Sequence, residues 1–112
     1  NDIVMWALDM DNHRAYYGIN GTWQDSGDPT SGSTGTGAIS ITAASSTDTG
    51  IYFPAVSDAN ITTASTFSTN FGNGYFGTTA VSSAGTNASG HGIFEYDVPA
   101  GYTAWCTKGI NS

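Results

Sequence analysis

Residues 2–23, Asp-Ile-Val-Met-Trp-Ala-Leu-Asp-Met-Asp-Asn-His-Arg-Ala-Tyr-Tyr-Gly-Ile-Asn-Gly-Thr-Trp, restrict the fold of this chain more than any other stretch. Residues 3–10 are apolar except for Asp9 and carry bulky side chains, the pattern of a strand buried on both faces or nearly so. Side chains alternate along a strand, so Val4, Trp6, Leu8 and Met10 share one face and Ile3, Met5, Ala7 and Asp9 the other. Residues 15–19 alternate Ala15, Tyr17 and Ile19 against Tyr16 and Gly18, which lets a second strand cover the first on one face and meet solvent on the other. Asp11-Asn12-His13 between them is turn chemistry, because Asp and Asn bond their own backbone and tolerate left-handed conformations. The stretch reads as a hairpin, with the rest of the chain as sheet packed against it.

Helix is disfavoured throughout. Lys and Arg total two, and Glu occurs once; no stretch repeats with the period of a helix. Residues 24–37 hold almost nothing that could enter a core and predict a long surface loop. Residues 38–43 predict a short edge strand around Ile39 and Ile41. Residues 51–56 predict a strand whose Pro54 sits at an edge, a bulge or a strand end. Residues 62–71 read as strand-like, 75–81 as a short extended piece and 82–92 as a small-residue loop. Residues 93–98 alternate as a half-buried antiparallel strand does, and 102–107 form the last strand with Trp105 in the core. Short strands separated by turns predict an all-β, antiparallel β-sandwich. At 112 residues there is room for a single domain.

Several segments resemble a known family in the right order. Asp9-Met-Asp-Asn-His-Arg-Ala-Tyr-Tyr-Gly-Ile-Asn-Gly-Thr-Trp23 is similar to the hairpin of SPRY (B30.2-like) domains. Tyr52-Phe-Pro-Ala-Val-Ser57 resembles the family's Tyr-Pro-Ala-Val-Ser strand, and Thr69-Asn-Phe-Gly-Asn-Gly-Tyr-Phe76 its Leu-Asn-Phe-Gly segment. The closing run from Phe94 through Pro99-Ala-Gly-Tyr-Thr-Ala-Trp-Cys-Thr107 is similar to the ending of SPRY-like domains in bacteriophage and marine viral virion proteins. The family has Gly where this chain has His13, and a left-handed backbone there costs more for His. The resemblance implies a concanavalin-like jelly roll. The matched hairpin lies near the middle of a whole SPRY domain, so it also implies that the chain is the C-terminal part of a longer protein. Half a sandwich leaves Trp6, Tyr17 or Trp105 bare on one sheet face, to be covered by upstream residues or neighbouring subunits.

Charge excludes several function classes. Nine acidic residues against Arg14 and Lys108 give a net charge of −7, whereas nucleic acid and anionic membranes need a basic footprint. Charged residues make up only 10%, against about 25% in an average soluble domain. Polarity comes instead from Ser, Thr, Asn and 15 Gly, as in β-proteins outside cells or on virus particles. No apolar run is long enough to span a bilayer, and Cys106, the one cysteine, allows no internal disulfide.

Chemistry-bearing constellations each have a simpler structural explanation. Asp9-x-Asp11-x-His13 has the spacing of a calcium loop, but Arg14 stands where the loop needs Gly and Asn20 where it needs Glu. Gly32-Ser-Thr-Gly-Thr-Gly37 lacks the Gly-Lys-Ser/Thr end of a phosphate loop. His13, His91 and Cys106 supply no nucleophile with an assignable base and orienting acid. Glu95 and Asp97 share a face at a spacing of two, which two acids on a solvent-facing edge explain. Asn20-Gly-Thr22, Asn60-Ile-Thr62 and Asn87-Ala-Ser89 match the glycosylation sequon, as chance allows in this composition. No catalytic residue, metal ligand or cofactor is therefore assigned.

Loops carry the remaining expectations. Trp23, Asp25, Asp28, Asp58, Asn60, Tyr75 and His91 are the candidate binding residues, since aromatics beside acids and amides can stack on sugar rings while polar groups take hydroxyls. The resemblance implies a binding surface built from residues 23–29, 57–60 and 85–91. The leading expectation is a non-enzymatic virion component, a capsid decoration protein or tail-fibre domain that contacts other virion subunits or its own copies. A carbohydrate- or receptor-binding module for a host surface and a SPRY peptide-binding adaptor are the alternatives. The expected location is the virion or the extracellular space.

Overall fold

A computed structural model describes residues 1–60 and 62–106. Among them the regular structure is antiparallel strand, joined by short 3-10 turns, and there is no α-helix. Four strands form one sheet: β1 (Val4–Asp9), β2 (Arg14–Ile19), β3 (Thr22–Trp23) and β4 (Ile39–Ser40). β2 is its centre, with β1 along one side and β3 and β4 at opposite ends of the other. The β1–β2 register sets Val4 opposite Ile19, Trp6 opposite Tyr17, Ala7 opposite Tyr16 and Asp9 opposite Arg14. A separate two-stranded hairpin, β5 (Tyr75–Phe76) with β6 (Thr79–Ala80), lies further along.

Two turns built from side-chain amides hold the sheet. At the first, the Asp9 carboxylate accepts the Asn12 backbone N–H at 2.9 Å and its Nδ2 at 2.7 Å, and His13 takes the left-handed backbone with φ of 55°. At the second, Asn20 and Gly21 both have positive φ, 50° and 85°, the two-residue turn whose twist suits a hairpin. Asn20 also reaches back to the chain start: its N–H donates to Ile3 O at 2.8 Å and its Oδ1 accepts from Ile3 N at 2.8 Å.

The amide bonds from Asn12 hold the Asp9 carboxyl below its ordinary range. A depressed folded-state pKa gives stability that is present above the unfolded value, near 3.8, and lost as pH falls through the folded one. The hairpin is therefore expected to loosen on acidification below about pH 4. In a series of thermal melts Asp9→Asn, which cannot titrate, is expected to show a shallower acid limb than the parent. An unchanged limb would mean that the turn does not couple to pH.

One sheet face is covered by the chain itself. Tyr16, 2% exposed, and Ala7 are buried on it, under the turn Pro29–Thr34. The Tyr16 hydroxyl lies 3.3 Å from Ser31 Oγ, and the Tyr102 hydroxyl donates to Pro29 O at 2.9 Å. Burial above all, helped by Asp9, Tyr16 and Asp28, pushes the Tyr102 pKa up to about 12. Residues 24–37 thus correct the expectation of a bare surface loop, for Pro29 is buried. Small residues make this cover possible: a Cβ on Gly37 would lie 2.5 Å from Asp25 O and 2.6 Å from Gly27 Cα.

The later strands are a second correction. Residues 51–56 and 62–71 form no strand, and Ile51, Phe53, Val56 and Phe67 are exposed, Phe53 by 69%. Residues 93–98 contribute only an isolated parallel bridge between Ile93 and Asn73. Residues 102–106 join no ladder, and Trp105 is 36% exposed instead of lying in the core. Thr107, the expected end of that strand, and Ile61 of the second sequon lie outside the described residues. The cause is pairing: β-branched and aromatic composition favours extension, but a strand exists only where a neighbour takes its N–H and C=O groups.

Candidate functional site: an uncovered sheet face

Residues opposite one another in an antiparallel ladder project from the same face. Trp6 with Tyr17, Val4 with Ile19 and Thr22, and Leu8 with Ala15 and Ile39 therefore share the face away from the Pro29–Thr34 cover. This second face carries no charged side chain, and Val4, Trp6, Ile19 and Ile39 stand exposed, Trp6 by 58%. Trp6 is bare, which corrects the expectation of a first strand buried on both faces, and Tyr17 beside it is partly exposed. The chain exposes 7546 Å² in total, roughly 1,700 Å² more than a compact monomer of its mass.

The β1 edge is also open. The bond from Asn20 N to Ile3 O makes Ile3 and Asn20 a hydrogen-bonded pair, and such pairs alternate along an antiparallel ladder. Val4, Trp6 and Leu8 consequently turn their N–H and C=O groups outward. Among the described residues none of those groups has a backbone partner. Soluble proteins usually blunt such an edge with Lys, Pro or a bulge. Val-Met-Trp-Ala-Leu-Asp has none of these and places its one charge at the end.

The candidate loop residues fall in separate turns. Trp23 closes β3, half-buried, with Met5 and Gly18 beside it. Asp25 is exposed with φ of 54°. Asp28 accepts the Thr30 N–H at 2.9 Å and its Oγ1 at 2.6 Å, starting the covering turn. Asp58 accepts the N–H groups of Asn60 and Ser65 at 2.9 and 2.7 Å, and Asn60 accepts the Thr62 N–H at 2.9 Å. These bonds hold the Asp28 and Asp58 carboxyls below the ordinary range. Tyr75 is exposed on β5, and the His91 carbonyl accepts from Asn87 Nδ2. Among the described residues no hydrogen bond joins one of these turns to another, so each acid or amide chiefly organises its own loop.

Two clefts open beside the sheet. One, of about 340 Å³, lies between Met5, Gly21 and Trp23 and the segments 83–86 and 95–97. Of the candidate residues it takes only Trp23; Met5 and Tyr96 escaped the sequence reading. The missed signal was Asn20-Gly21, a hairpin turn that aligns Met5, Gly18 and Trp23 across three strands. The other cleft, of about 390 Å³, lies beside Asp9, Asp11 and Asn12, with Pro29 and Tyr102 on its far wall. Among the described residues no three metal-ligating side chains cluster, and no helix is long and apolar enough to cross a membrane. Comparison with family models, with curated proteins and with solved structures finds no match to this chain.

Proposed function

We propose that this chain is a SPRY-like antiparallel β-sandwich domain of a bacteriophage virion, a capsid decoration or tail-fibre component that works by protein–protein contact and not by catalysis. The observation that carries the reading is the uncovered face around Trp6 and Tyr17, uncharged and bordered by the open β1 edge. An apolar face of this kind marks an interaction site. The chain as a whole exposes roughly 1,700 Å² more than a compact monomer, with this face and exposed side chains such as Ile51, Phe53, Val56 and Phe67 both contributing, and a standard interface covers about 800 Å² per partner. A second β-layer, supplied by other virion subunits or by another copy, completes the sandwich. The ordered motifs from the hairpin to the closing segment support the family, and the low-charge, Gly- and Ser-rich surface suits a particle exterior.

Fractionation tests it. Gradient-purified particles from a lysate are expected to contain peptides of this chain by mass spectrometry, enriched over the soluble fraction. Recovery in the soluble fraction alone would refute the virion assignment.

A further inference from the structure

We propose that the cleft between β3 and residues 83–86 and 95–97 binds a neutral pyranoside sugar. Three features converge there. Trp23 and Tyr96 supply aromatic surface for the C–H face of a sugar ring, with Met5 beside them. Glu95 and Asp97 supply carboxyl oxygens as acceptors for its hydroxyls, and each is fixed in place through one oxygen: Ser82 N–H donates to Glu95 Oε2 at 2.6 Å and Thr86 N–H to Asp97 Oδ1 at 2.7 Å. The remaining oxygens, Glu95 Oε1 and Asp97 Oδ2, have no partner among the described residues, and bonds from hydroxyl to carboxylate are the stronger, charge-assisted kind. The volume of about 340 Å³ falls at the small end of ligand sites, the size of one or two sugar rings.

Charge decides the class of sugar. Among the described residues no cation lines the cleft, Arg14 included, so there a carboxylate-bearing sugar such as sialic acid meets two acids and no counter-charge. The cleft also lies on the opposite side of the sheet from Trp6. Met5, Gly18 and Trp23 share the covered face while Trp6, Tyr17 and Ile39 share the bare one. A protomer docked through its bare face therefore still presents the cleft outward, and the sugar site stands or falls separately from the assembly reading.

The test is amide and indole NMR of the whole chain titrated with methyl β-galactoside, methyl β-glucoside and N-acetylneuraminic acid. At least one neutral glycoside is expected to shift the Trp23 indole and the amides of residues 83–86 and 95–97 saturably, while N-acetylneuraminic acid leaves them in place. Trp23→Ala is expected to weaken binding about tenfold or more, the loss of one aromatic contact. Asp97→Asn, which keeps the shape and the acceptor for Thr86, serves as the second variant should Trp23→Ala disturb the sheet, and a several-fold weakening is expected. Absence of saturable shifts with both glycosides would overturn the proposal. So would equal binding of the anionic sugar, or affinity indifferent to Asp97→Asn.

Discussion

On the proposed virion reading, Trp6→Asp is expected to move this protein from the particle fraction to the soluble fraction while leaving its own fold unchanged. Trp6 is 58% exposed, so the isolated chain loses little packing when the indole goes. At an interface the same change removes a central aromatic anchor, whose truncation typically costs 2 kcal/mol or more, and buries an unpaired carboxylate. At about 1.4 kcal/mol per tenfold, association weakens at least about thirtyfold. Far-UV circular dichroism checks the fold and sedimentation checks the association. Retention of the variant in particles would show that contacts are made elsewhere, and loss of the sheet signal would show that Trp6 supports the fold itself.

The largest effect on stability is expected at Tyr16. It is 2% exposed on the central strand, under the Pro29–Thr34 turn, and its hydroxyl meets Ser31. Replacing a buried aromatic by alanine costs about 3–5 kcal/mol, while a whole small domain has only about 5–15 kcal/mol of stability. The core here is thin: Ala7, Ala15, Tyr16 and Ala104 are the buried apolar residues among those described. Tyr16→Ala is accordingly expected to abolish cooperative thermal unfolding, whereas Tyr16→Phe, which removes only the hydroxyl contact, costs about 1 kcal/mol. Equal melting of Tyr16→Ala and the parent would mean that the covered face is not the core.

How far residues could be read without coordinates depended on whether their partner was near in sequence. β1 and β2 were legible because an apolar run, an Asp-Asn turn and an alternating run lie within twenty residues, and local chemistry alone fixes their pairing. Residues 51–56, 62–71 and 93–98 have strand composition too, but a ladder depends on a distant neighbour, and composition says nothing about which one. Residues 24–37 misled in the other direction. Gly27, Gly35 and Gly37 looked like solvent-facing filler, yet at Gly27 and Gly37 the missing side chain lets backbone lie against backbone over Tyr16, and at Gly35 it makes room for the Arg14 side chain. Among the candidate binding residues, Asp28, Asp58 and Asn60 were recognisable as polar loop groups. Their engagement with neighbouring N–H groups is equally local chemistry, and turn formation is the simpler reason for their presence.

The uncovered face has a thermodynamic consequence. If burial of Val4, Trp6, Ile19 and Ile39 is completed only in an assembly, mass action enters the folding equilibrium. Melting temperature then ceases to be a fixed property of the chain and climbs with protomer concentration. A dilute preparation would look fragile and a particle-bound one durable, though every covalent bond in the two is the same.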